Sequence, residues 1–181
     1  MRLRRNIFAA ILTAILCVFA PLSFPMGTVP VSMATFGVCL ISLISHRRCA
    51  LISLLLYVAL GTVGLPVFAG FVGGAQILVG PTGGYLIGYI PMALIICLFC
   101  EKRRTVPRMA MGMTLGLLSC YAVGVLWYAF SANVSVVEAS LVGILPYLPF
   151  DAVKLIAAGA VAWIIGGRVD KIFSAEPERE R

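Results

Sequence analysis

Long apolar stretches alternate along this chain with short basic clusters, and the stretches themselves are almost free of charge. Apolar runs of roughly 16 to 24 residues, with no strict two-residue alternation, predict membrane-spanning helices rather than the strands of a barrel. Only a helix or a closed barrel satisfies every backbone group in hydrocarbon. Six spans fit, over about 6–22, 31–46, 49–65, 82–100, 107–130 and 145–167.

The basic clusters set the orientation. Arg2/Arg4/Arg5, Arg47/Arg48, Lys102/Arg103/Arg104/Arg108 and Arg168/Lys171/Arg179/Arg181 recur after every second span, as six helices with both termini inside require. The other three connections, about 23–30, 66–81 and 131–144, carry no Lys or Arg and a single acid, Glu138. Residues 1–20 also have the form of a signal peptide, but its removal would leave five spans and break the charge alternation.

Composition sharpens this picture. With 61% hydrophobic residues and a mean hydropathy of +1.06, the 181-residue chain is too apolar for a soluble domain. The net charge of +7 then reflects orientation and contact with anionic lipid, not nucleic acid, for which no basic tract interleaved with aromatics exists. Six cysteines lie in or beside the spans and read as small buried side chains. Cys97 and Cys100 form a CxxC, but without a second pair and with His46 the sole histidine, no metal site is expected.

The segment Gly64–Gly84 is rich in Gly and Pro yet apolar, so it can be neither a continuous helix nor a solvated loop. It is expected to fold over the helix ends as a compact lid and so to imply a cavity on the outer face. The glycines of Gly80-Pro-Thr-Gly-Gly84 lack the Lys-Ser/Thr ending of a phosphate loop and read as close-packing positions, with Tyr85 and Tyr89 available to line a pocket. Neither an inverted repeat nor a nucleotide-binding domain is present.

One pair of charges breaks the pattern. Asp151 and Lys154 lie three residues apart inside the last span, on one helix face. Charges in a bilayer are costly, about 2.5–3.5 kcal/mol each at a helix centre, and so face an interior and find partners. Measured from a helix start near 145, Asp151 lies about 9 Å in, at the floor of an outward-facing pocket. The pair is either a self-neutralising structural contact or an acceptor and donor for a polar ligand; a cyclic urea or amide offers matching groups side by side. On the first span, Ala10 and Ala14 form a small-xxx-small face that serves internal packing or docking to a partner helix. Nothing in the sequence supports catalysis: nucleophile motifs and paired catalytic carboxylates are lacking.

Four segments carry a family resemblance: Val29-Pro-Val-Ser-Met-Ala-Thr35, Gly64-Leu-Pro-Val-Phe-Ala-Gly70, Gly80-Pro-Thr-Gly-Gly-Tyr-Leu-Ile-Gly88 and Pro146-Tyr-Leu-Pro-Phe-Asp-Ala-Val-Lys154. In these the chain resembles the BioY family, the biotin-specific substrate-capture (S) components of energy-coupling-factor (ECF) transporters. The resemblance implies an all-α protein of the bacterial or archaeal plasma membrane that captures biotin from outside. It also implies a transmembrane coupling subunit and two cytoplasmic ATPases as partners, no enzymatic activity and no cofactor. A homo-oligomer is a further possibility.

By the same resemblance Asp151 and Lys154 hold the biotin head group and Ala10 and Ala14 dock on the coupling subunit. A pocket of Phe68, Phe71, Tyr85 and Tyr147 suits the apolar parts of biotin. The chain departs from the family at Ser32-Met33-Ala34-Thr35, where members often carry Thr-Leu-Gln-Thr. Gln76 is the expected replacement amide; altered ligand preference is the alternative, and a different vitamin or a ligand-free structural protein are the rival readings.

Overall fold

A computed structural model describes residues 2–25, 30–101 and 103–174, with side chains over 5–25, 30–101 and 103–167. Met26 to Val29, Lys102 and the last seven residues lie outside the described residues. So do the side chains of Arg2, Arg4, Arg168 and Lys171.

The fold is helical. Helix α1 (Arg2–Phe19) is followed by a short antiparallel pair, β1 (Ser23–Phe24) with β2 (Val31–Ser32), then α2 (Ala34–Ile44) and α3 (Arg47–Thr62). A four-residue helix, α4 (Gln76–Val79), interrupts the Gly/Pro segment before α5 (Gly83–Cys100), α6 (Val106–Ala132), α7 (Val136–Gly143) and α8 (Leu148–Ser174). Among the described residues, three helices are long and apolar enough to cross a membrane: Gly83–Cys100, Val106–Ala132 and Leu148–Gly167. The apolar part of α1, Arg5–Phe19, and all of α2 are shorter, and α3 has 16 residues.

The bounds differ from the sequence expectation in instructive ways. α2 begins at Ala34 rather than 31 because Val31 and Ser32 pair with Phe24 and Ser23 across the connection that follows α1. α8 begins at Leu148, with Pro149 in the first turn where it lacks no hydrogen bond. α7 was not expected at all. It is nucleated by a capping box in which Ser135 Oγ accepts from the Glu138 amide and Glu138 bonds back to the Ser135 amide.

α2 is the centre of the bundle, with ten of its eleven residues buried. α3, α5, α6 and α8 all pack on it, so a helix too short to be a conventional span is nonetheless the most enclosed. α5 and α6 approach closely through glycines, as the Gly80–Gly88 motif suggested. A Cβ at Gly84 would enter the Trp127 side chain, and one at Gly88 would press on the Cys120 backbone. α1 is tied to α3 by polar groups: Ser53 Oγ donates to Ala9 O at 2.9 Å and Thr13 Oγ1 to Ser53 O at 3.3 Å. Those bonds use one face of α1. Ala10 and Ala14 lie on another, exposed with Ile7, Ile11 and Val18, and take no part in internal packing.

The Gly64–Gly84 segment is packed down on the bundle. Phe68 is fully buried, edge-on to Tyr57 with centroids 5.6 Å apart. Its turn is closed by Phe68 N–H to Val72 O, and Gly74 N–H and Gly70 N–H donate to Gly61 O and Pro21 O. Trp127 Nε1 donates to Gly80 O at 3.0 Å, fixing the segment's end to α6.

Candidate functional site

The site is built where β2, α2, α5, α6 and α8 converge. The β1–β2 pair holds Ser32 so that its carbonyl accepts from Lys154 Nζ at 2.7 Å. One turn into α2, Thr35 Oγ1 donates to Asp151 Oδ1 at 3.0 Å. From the middle of α6, Tyr121 Oη donates to Asp151 Oδ2 at 2.5 Å. On α8, spacing alone brings Lys154 Nζ to Asp151 Oδ1 at 2.8 Å.

Both charged residues are buried, Asp151 to 3% and Lys154 to 8% exposure. Such a pair is costly unless geometry and further hydrogen bonds satisfy it. Here the carboxylate takes three donors and the ammonium two acceptors, leaving the ammonium capacity for one more partner. Asp151 also lies in the first turn of α8, where the positive end of the helix dipole favours a carboxylate. That corrects the depth inferred from a helix start near 145. Asp151 is about 4.5 Å from the true start, and its N–H donates to Tyr147 O at 2.8 Å, in the turn that precedes α8.

Above the pair is a cavity of about 250 Å³, just under the usual range for small-molecule sites. Its polar floor is Ser32, Thr35, Tyr121, Asp151 and Lys154. Its walls hold five aromatics, Tyr57, Phe68, Tyr85, Tyr89 and Tyr147, beside aliphatic residues such as Val31, Val72, Ile77 and Leu86. Tyr85 is locked across the site by a bond from Oη to Gly143 O at 2.9 Å. Its ring lies over Gly124, where any Cβ would overlap it.

Of the residues singled out in the sequence, Asp151, Lys154, Phe68, Tyr85 and Tyr147 are brought together here. Two are not. Phe71 sits at the tip of its turn with φ +58° and is 63% exposed. Gln76, expected to replace the amide missing at Ala34, turns its own amide back to Gly73 O at 2.9 Å and is exposed. Ala34 itself lines the cavity, so no side-chain amide reaches the floor among the described residues. Sequence reasoning missed Thr35, Tyr121 and Tyr57, and it gave Tyr89 only general standing. Their contacts span up to 116 residues, and a backbone acceptor such as Ser32 O has no sequence signature.

Among the described residues no group of three or more His, Cys, Asp or Glu side chains could hold a metal ion, and the polar groups form a satisfied network rather than a nucleophile with its base.

The family model for BioY matches residues 1–171. The chain belongs to the BioY family. Among BioY relatives, it is 40% identical over 160 residues to the biotin transporter BioY of Thermotoga maritima, covering 88% of this chain and 94% of that one. It is 36% identical over 170 residues to the biotin transporter BioY of Rhodobacter capsulatus, covering 87% and 88%. The fold matches the crystal structure of the S-component for biotin from an ECF-type ABC transporter, with a TM-score of 0.81, 24% identity and 89% of each chain covered. This BioY chain is therefore an integral membrane transport protein and not an enzyme.

Proposed function

We propose that this chain captures biotin at the outer face of the membrane as the S component of an ECF transporter. The observation that carries the proposal is the buried Asp151–Lys154 pair on the floor of a cavity walled by aromatics, in a chain whose relatives are biotin transporters. A cyclic urea presents N–H donors beside a carbonyl acceptor, matching a carboxylate beside an ammonium. The fused rings and aliphatic chain of biotin suit the walls of Phe68, Tyr85 and Tyr147. Gln76 and Phe71, lying outside the cavity, are not assigned to the site.

The same reading extends to topology and partners. Six spans with both termini inside would place Arg47, Arg48, Arg103 and Arg104 at the inner face and the Gly64–Gly84 lid at the outer one. Ala10 and Ala14, exposed on α1, would offer a flat face to the transmembrane coupling subunit, which in turn carries two cytoplasmic ATPases.

Calorimetric titration of biotin into the detergent-purified protein, beside the Asp151→Asn variant, tests the assignment. Saturable binding by the wild type that is lost in the variant is the expected result. Absence of binding by folded wild type would overturn it, and competition by other vitamins on the same protein would then identify the ligand.

A further inference from the structure

The opposite, basic end of the bundle holds two features that the biotin site does not use. The first is a polar cavity of about 360 Å³ between the ends of α2 and α5, lined by Ser42, Ser45, His46, Glu101, Arg103 and Arg104. Glu101 is the one acid in the lining, so the two arginines leave a positive charge in excess. Ser42 is 1% exposed, and its Oγ has no hydrogen-bond partner among the described residues. Buried hydroxyls are ordinarily paired, so this one calls for an acceptor or donor that enters the cavity.

The second feature is an apolar groove of about 650 Å³ between α6 and α8, lined by Met109, Met113, Leu155, Gly159, Trp163 and Ile164 among others. α8 buries only 22% of its apolar window inside the fold, and Trp163 and Ile164 are exposed. Arg104 joins the two features. It lines the polar cavity, and its Nη1 donates to Gly166 O at 3.3 Å, two residues beyond the last groove residue on α8.

We propose that this end of the molecule holds one anionic phospholipid, its phosphate in the polar cavity by Arg103, Arg104 and Ser42 and one acyl chain in the α6–α8 groove. An arginine fork matches phosphate oxygens, and the Ser42 hydroxyl gains the acceptor it lacks. A partner helix would fill the groove but would leave the phosphate-type cavity without an occupant, which favours lipid. In the topology proposed above this is the inner leaflet, where anionic lipids attract basic residues.

The test is native mass spectrometry of the purified chain in nonionic detergent, titrated with phosphatidylglycerol or phosphatidylcholine, with inorganic phosphate as a third arm. Phosphatidylglycerol should be retained in one-to-one stoichiometry well above phosphatidylcholine. Arg103→Gln and Arg104→Gln should each weaken retention about fivefold, the weight of one basic charge at an anionic surface. Ala160 also lines the groove; Ala160→Trp, which fills it, should weaken retention without altering biotin titration, the control for an intact fold. Equal retention of both lipids, or indifference to all three variants, overturns the proposal. Inorganic phosphate displacing the lipid, with Ala160→Trp silent, would reassign the cavity to free phosphate. A lipid-independent oligomer that dissociates in Ala160→Trp would assign the groove to a second copy.

Discussion

The phenol of Tyr121 and the carboxylate of Asp151 meet at 2.5 Å across the α6–α8 junction, inside the membrane protein and away from bulk water. Tyr121 thereby fixes the oxygen that Thr35 and Lys154 leave free. Hydrogen bonds to charged groups contribute about 1.5–3 kcal/mol. Tyr121→Phe should therefore weaken biotin binding by about tenfold or more while the chain stays folded, as read by titration calorimetry beside circular dichroism. Unchanged affinity would show that the carboxylate is positioned by Thr35 and Lys154 alone.

Removing one member of the buried pair strands the other. Asp151→Asn should destabilise the protein by about 3–5 kcal/mol, since it leaves an ammonium without its counter-charge, whereas Asp151→Asn combined with Lys154→Met should recover most of that loss. Neither variant should bind biotin. Thermal unfolding in detergent separates the two effects, and a double variant that still bound biotin would reduce the pair to a structural contact.

How far the site was legible in the sequence follows from the range of its contacts. Asp151 and Lys154 announce themselves because they are charges in an apolar stretch and residues three apart on a helix share a face. Thr35 and Tyr121 reach Asp151 from α2 and α6, and nothing in their neighbourhoods distinguishes them from other membrane threonines and tyrosines. Gln76 misled for a local reason: after a glycine turn its amide is captured by Gly73 O, three residues back, before it can reach the cavity. α7 went unpredicted although its signal is local, since Ser135-x-x-Glu138 is the spacing of a capping box. The short start of α2 was not, since the β1–β2 pairing that replaces its first turn is a relation between two segments.

Gly124 tests how strictly the aromatic wall is held. A methyl group there overlaps the Tyr85 ring, so Gly124→Ala should displace Tyr85 and weaken biotin binding, with little change in helix content. Tyr85→Phe removes only the bond to Gly143 O and should weaken binding less. Titration of both variants gives the order; the reverse order would place the importance of Tyr85 in its hydroxyl.

Phe68 anchors the Gly64–Gly84 segment from beneath. Phe68→Ala removes a fully buried ring set edge-on to Tyr57. The expected outcome is faster hydrogen exchange over residues 64–80, with protection in α5 and α6 unchanged, read by mass spectrometry. Equal exchange in wild type and variant would mean that the backbone bonds to Gly61 and Pro21 hold the segment unaided.

The cap of α7 gives a pH dependence with a defined sign. The Ser135 backbone N–H and hydroxyl hold the exposed Glu138 carboxyl below its ordinary value of 4.5. Its contribution to α7 is therefore present above that value and lost as pH falls through the lowered folded-state one. Amide exchange at Val136 to Ala139, corrected for its intrinsic pH dependence, should show α7 fraying at acid pH in the wild type. Glu138→Gln should abolish that dependence.

The neutrality of the Asp151–Lys154 pair has an electrical consequence. A lone charge carried through the membrane field does work of about 2.3 kcal/mol for every 100 mV it crosses, whereas two opposite charges held 2.8 Å apart move through the field almost without cost. Were the bundle to shift or tilt as one body with these contacts kept, the membrane potential would neither drive nor resist the movement through this pair.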